Sequence, residues 1–100
     1  MNFESIEVVE FADSPLHQAA KEGDLDKVES LLGTGVDVNT RDEYGKMALH
    51  YAAEYGHNGT VKVLIEQRAD VMIRDKKDLV AFQYAIANDH MQTAEEFRTK

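Results

Sequence analysis

Any chemistry in this chain would have to come from four histidines, a set of recurring aspartates and two short glycine-containing stretches. His17 and His50 stand 33 residues apart, and so do His57 and His90. Paired histidines on neighbouring elements are a common way to hold zinc or to move a proton. Equivalent positions on stacked helices, however, lie about 8–10 Å apart at the axes, too far to share an ion that takes nitrogen ligands at about 2.1 Å without long side chains converging. The histidines are therefore expected to serve the scaffold, with no metal. Asp37, Asp42, Asp70 and Asp75 recur with the same period. A hydrolytic carboxylate pair needs two carboxyls facing one cleft, and the spacing singles out no such pair. Asp42 and Asp75 are read instead as turn residues that bond backbone N–H groups. Gly33-Thr34-Gly35 has glycines like those of a phosphate loop, but it follows a helical pattern and no lysine continues it. Asn58-Gly59-Thr60 fits the glycosylation pattern, yet it opens a predicted helix. No catalytic, cofactor or metal role falls to any residue, and the expectation is a protein that is not an enzyme.

The elements that position these residues follow from the period itself. SPLHQAAKEGDLDKVESLLGTGVDVNTRD from Ser14 aligns without a gap on MALHYAAEYGHNGTVKVLIEQRADVMIRD from Met47, and more weakly on VAFQYAIANDHMQTAEEFRTK from Val80. Leu16, Leu49 and Phe82 coincide, as do Ala19, Ala52 and Ala85, Val28, Val61 and Ala94, and Leu31, Leu64 and Phe97. Within the first two copies the apolar residues fall at i, i+3 and i+4, twice, which predicts two short amphipathic helices, whereas the third has Arg98 where the others have Leu32 and Ile65. Gly23 and Gly56 supply the left-handed exit from the first of them. Ser14 and Pro15 fit an N-cap and a first helical position. Helices of about eight to ten residues are not stable alone in water, so the copies must stack and complete one another's cores.

Composition bounds the rest. One hundred residues make one small domain, with no cysteine for a disulfide or a zinc finger. The opening MNFESIEVVEFAD carries acids where a secretory signal carries bases, and no apolar run approaches the ~18 residues of a membrane span. These features favour a reducing intracellular setting, the cytoplasm with the nucleus also open. The net charge is −8. Residues 1–40 hold nine acids against Lys21 and Lys27, whereas residues 41–100 hold ten acids against nine bases. An acidic chain is poorly suited to phosphate backbones, which points away from nucleic acid and anionic membranes.

The period of 33, PLHQAA at 15–20, ALHYAA at 48–53 and GVDVNTRDEYG at 35–45 resemble ankyrin repeats over residues 13–100. The resemblance implies an all-α solenoid of about three stacked helix-turn-helix units with hairpin-like loops, the units being 13–45, 46–78 and 79–100. It also implies that His17 and His50 tie the loops and that His57 and His90 cap the next helix. Departures from the pattern include Met47 and Val80 in place of a hydroxyl residue, Arg68 where the first copy has Gly35, Gln83 in place of histidine, and Asp89 in place of glycine. The third copy is read as a polar C-terminal cap, against the alternative that the chain is a piece of a longer array. For residues 1–12, an extension or cap, packing on the first unit and a loose segment both stay open.

The resemblance implies that a protein partner meets the loop tips and the concave side of the first helices. What varies between copies there is Arg41, Glu43, Tyr44 and Lys46, then Glu54 and Tyr55, then Arg74, Lys76, Lys77 and Leu79, then Asn88. Tyr44 and Tyr55 are the expected anchors, because hot spots favour tyrosine. Five bases crowd the tips (Arg41, Lys46, Arg74, Lys76 and Lys77), so the partner is expected to present an acidic patch. The leading expectation is a monomeric binding module, an adaptor or inhibitor without cofactors. The alternatives are a substrate-recruiting or regulatory segment of a larger protein, and an enzyme in its own right.

Overall fold

The computed structural model describes residues 14–98, so the expectations for residues 1–12 lie outside the described residues. Six helices occupy this span: α1 (Pro15–Glu22), α2 (Leu25–Gly33), α3 (Ala48–Glu54), α4 (Asn58–Glu66), α5 (Ala81–Ala87) and α6 (Met91–Arg98). No strand occurs among the described residues. Each consecutive pair packs as a unit, α1 on α2, α3 on α4 and α5 on α6. The first helices then line up as α1–α3–α5 and the second helices as α2–α4–α6. Two long loops, 34–47 and 67–80, carry the chain from one unit to the next. The result is the all-α stack that the period predicts.

Burial follows position in the stack. The middle helix α3 buries Ala48, Leu49, His50, Tyr51, Ala52 and Ala53, because it has a neighbour on both sides. The outer α1 and α5 bury less of their surface. Alanines 19, 20, 52, 53 and 85 lie fully buried between the first helices, where a larger side chain would force the axes apart. Val28, Val61 and Ala94 close the core beneath the second helices. Thr93 on α6 donates its hydroxyl to Asn58 Oδ1 on α4, so the Asn58 side chain belongs to the scaffold.

Helix termini show how the sequence departures are absorbed. Ser14 sits at the N-cap of α1, but its side chain makes no capping bond. At α3 the Met47 N–H is taken by His50 Nδ1 at 3.0 Å. At α5 the Val80 N–H is taken by Gln83 Oε1 at 2.9 Å. The third side chain of the helix thus does the work that the cap residue cannot.

The glycine positions record the closeness of neighbouring units. Gly23 (φ 71°) and Gly56 (φ 74°) are left-handed, and a Cβ on them would lie 2.6 Å from His57 Nδ1 and 2.7 Å from His90 Nδ1. Gly45 (φ 75°) is approached in the same way by the next loop, its Cβ falling 3.1 Å from the Lys76 amide nitrogen. The equivalents one repeat later are Asp78 (φ 67°) and Asp89 (φ 63°). They keep the left-handed backbone, which aspartate tolerates better than most residues, and among the described residues both side chains are exposed. Gly56→Ala should therefore lower stability by about 2 kcal/mol or more, through both conformation and clash. Asp89→Ala, at the same backbone conformation with an open ceiling, should cost less than about 1 kcal/mol. Urea denaturation of the two variants checks the contrast, and equal losses would contradict it.

Candidate functional site

Each loop is organised by one aspartate. Asp42 Oδ1 accepts the N–H groups of Tyr44 and Lys46, both at 2.9 Å, and its Oδ2 accepts the Tyr51 hydroxyl. Asp75 repeats the arrangement with the N–H groups of Lys77 at 2.9 Å and Leu79 at 3.0 Å, and with the Tyr84 hydroxyl. Burial pushes both carboxyls up, but the bonds from tyrosine and backbone outweigh it and hold both below the usual value. The tyrosines respond in the opposite sense: burial, then the hydrogen bond to aspartate, raises Tyr51 and Tyr84 well above the ordinary phenol range. These aspartates are loop anchors, as their recurrence implies.

The histidines cross the junctions between units. His17 Nε2 meets the Lys46 carbonyl at 2.8 Å, and His50 Nε2 meets the Leu79 carbonyl at 3.1 Å. His57 Nε2 reaches back to the Lys21 carbonyl at 2.9 Å, and His90 Nε2 to the Glu54 carbonyl at 3.1 Å. This refines one expectation: His57 stands at the N-cap of α4, but its ring makes no capping bond there, and the His57 and His90 rings cap the last turn of the preceding unit's first helix, whose carbonyls have no partner within that helix. Among the described residues, no group of three or more histidines and carboxylates is placed to hold a metal.

Against this scaffold the loops and first helices enclose a concave cleft of about 460 Å³. Lys21, Tyr44, Lys46, Tyr51, Glu54, Tyr55, Asp75, Lys76, Lys77 and Tyr84 line it. Lys46 is its centre: its ammonium lies 3.0 Å from Glu54 and 4.7 Å from the ring centroids of both Tyr51 and Tyr84. Lys21 covers the Tyr51 ring at 4.8 Å. Tyr44 and Tyr55 remain 59% and 49% exposed, and a hydrogen bond to Glu43 raises the Tyr44 phenol above its usual value.

Six of the residues expected from the sequence therefore meet in one cleft: Tyr44, Lys46, Glu54, Tyr55, Lys76 and Lys77. Others point to structural bonds. Arg41 spans the loops, with Nε on the Gly45 carbonyl at 3.3 Å and Nη2 on the Arg74 carbonyl at 2.9 Å. Arg74 Nη1 in turn holds the Asp78 carbonyl at 3.0 Å. Leu79 lies outside this cleft, in an apolar depression of about 430 Å³ with Phe82 and Ile86. Exposed Asn88 donates to the Tyr84 carbonyl at the end of α5. Sequence reasoning missed Tyr51 and Tyr84 as lining residues, although their separation of 33 was visible.

His50 makes this network sensitive to pH. Because the Met47 N–H must be accepted by Nδ1, the proton sits on Nε2 and is donated to Leu79, a neutral tautomer with both nitrogens used. Burial lowers the His50 pKa below 6.5, with the nearby Lys46 charge adding to the effect. The folded state thus binds this proton less readily than the unfolded chain, so the contribution is fully present above about 6.5 and is lost as pH falls toward the folded value. His50→Gln keeps an acceptor for Met47, as Gln83 does for Val80. Melting curves between about pH 5 and pH 7 should show a smaller loss of stability on acidification for His50→Gln than for the wild type, by up to roughly 1.4 kcal/mol per pH unit. An unchanged slope would remove His50 as the cause.

Residues 7–98 match the family model for ankyrin repeats in three copies. Among solved structures, a chain of the complex between the Bd0816 predatory endopeptidase from Bdellovibrio bacteriovorus and immunity protein Bd3460 is similar, with a TM-score of 0.82 at 32% identity. The similarity covers 87% of this chain and 46% of that chain, so this chain spans less than half the length of its neighbour. No curated protein matches it.

Proposed function

The chain belongs to the ankyrin-repeat family, and from that premise we propose that it is a non-catalytic module that holds a partner protein in its concave cleft, as an adaptor or an inhibitor. The observation that carries this reading is the gathering of side chains. All four tyrosines and four of the seven lysines line one cleft, although they come from three units and two loops. Tyr44 and Tyr55 are exposed and of the type that hot spots of protein interfaces favour, and the base beneath them is fixed by hydrogen bonds. The solved complex with a similar chain pairs an endopeptidase with an immunity protein, which supports the inhibitory form of the proposal. The unneutralised lysines favour a partner with an acidic patch. No helix among the described residues is long and apolar enough to cross a membrane.

The third unit is read as a C-terminal cap, because a further histidine-bearing copy would have to place its ring where the Asp89 side chain stands. A second functional reading rests on length: coverage of 46% of the neighbour favours a recruiting or regulatory segment of a larger protein. Sequencing the native transcript past Lys100 separates the two. The binding face itself is tested by affinity capture from a native lysate with the wild type and Tyr44→Ala/Tyr55→Ala. Both tyrosines are exposed, so the double variant should keep its helical spectrum and lose the specifically captured band. A captured profile identical to the wild type would refute the concave-face assignment.

A further inference from the structure

The cleft's charges are not equally available. Lys46 is committed to Glu54 and to two aromatic faces, and its side chain is only 15% exposed. Arg41 and Arg74 are committed to loop carbonyls. Both carboxylates of the lining are likewise engaged, Glu54 by Lys46 and Asp75 by two N–H groups and the Tyr84 hydroxyl. Lys76 and Lys77 remain, with Lys21 held only by the Tyr51 ring, and among the described residues none of the three forms an ion pair with a carboxylate. They stand beside the exposed rings of Tyr44 and Tyr55. The cleft is thus a small positive site with an apolar wall, set on a chain whose net charge is −8.

That contrast selects the kind of partner. A globular partner with a broad acidic face would oppose the acidic body of this chain along with its three free lysines. A short segment avoids the conflict, since charges beyond a Debye length of about 8 Å are largely screened at physiological salt. The volume points the same way: about 460 Å³ accommodates a few side chains and not a domain face. Tyr51 and Tyr84 are buried with their hydroxyls bound to aspartates, so the base of the cleft offers few free polar groups.

We propose that the cleft captures a short acidic segment of the partner, with its carboxylates on Lys21, Lys76 and Lys77 and an adjacent apolar side chain against Tyr44 and Tyr55. This rests on the concave face being the binding face, and names what that face recognises.

Fluorescence anisotropy with a panel of labelled peptides tests it, one leucine or tyrosine being walked through a run of glutamates. At least one register should bind, and its glutamine-for-glutamate counterpart should not. Lys76→Glu/Lys77→Glu, which alters exposed side chains only, should weaken that peptide and the natively captured partner by about tenfold or more. Inorganic polyphosphate should compete poorly, because it has no apolar group for the tyrosines. Absence of binding across the panel, equal binding of the glutamine peptides, or polyphosphate binding as tight as the best peptide would each overturn the proposal. If the tyrosine double variant loses its native partner while Lys76→Glu/Lys77→Glu keeps it, the concave face stands and the acidic segment falls.

Discussion

Two histidine rings hold each unit to the next, and the spacing they impose shapes everything on the concave side. At the first junction His17 reaches forward to the Lys46 carbonyl and His57 reaches back to the Lys21 carbonyl. At the second junction His50 and His90 do the same for Leu79 and Glu54. Helices of seven to nine residues leave much of their backbone without partners inside the helix, so a stack of them is viable only if the ends are satisfied from outside. The backward-reaching rings do this for α1 and α3. Because each ring lies directly over a left-handed turn, that turn must be glycine wherever a following unit exists.

With the units spaced in this way, the loops can be fixed from below. Asp42 and Asp75 sit inside their loops and gather backbone N–H groups, yet each also binds a tyrosine nine residues on, in the first helix of the following unit. The tyrosine is therefore scaffold at its hydroxyl and cleft surface at its ring. Lys46 exploits the second property, seated between two such rings and neutralised by Glu54. Little of the base is left to order when a ligand arrives. Preorganisation of this kind reduces the entropy lost on association, and here it comes from residues whose first duty is to hold the stack together.

Much of this was legible in the sequence. The period placed the helix pairs, and the glycines marked the exits, although the ring that makes Gly23 and Gly56 necessary belongs to another unit and cannot be seen by propensity. Differences between copies pointed to Tyr44, Tyr55, Lys76 and Lys77, which do meet in one cleft. Repetition misled in the other direction: Tyr51 and Tyr84 recur one period apart, and a search for residues that differ between copies passes over them. Arg41 and Arg74 show the opposite limit. A sequence displays their charge but not the direction of the side chain, and both turn to carbonyls of their own or the neighbouring loop.

The charge pattern acquires a sense once committed and uncommitted groups are separated. Five acids against two lysines between residues 14 and 40 make that part of the stack negative, while bonds within the structure occupy Arg41, Arg74 and Lys46. On the proposed reading, a net negative chain with a small basic, aromatic cleft disfavours extended polyanions and anionic membranes. It also gives little attraction to ligands that bring negative charge without an apolar group. Discrimination then comes from repulsion by the body together with attraction in the cleft, and both parts are needed for a selective binding face. Lys21 shows how closely the two are joined: its carbonyl takes His57 to hold the units together, and its ammonium, over the Tyr51 ring, is one of the free charges of the cleft.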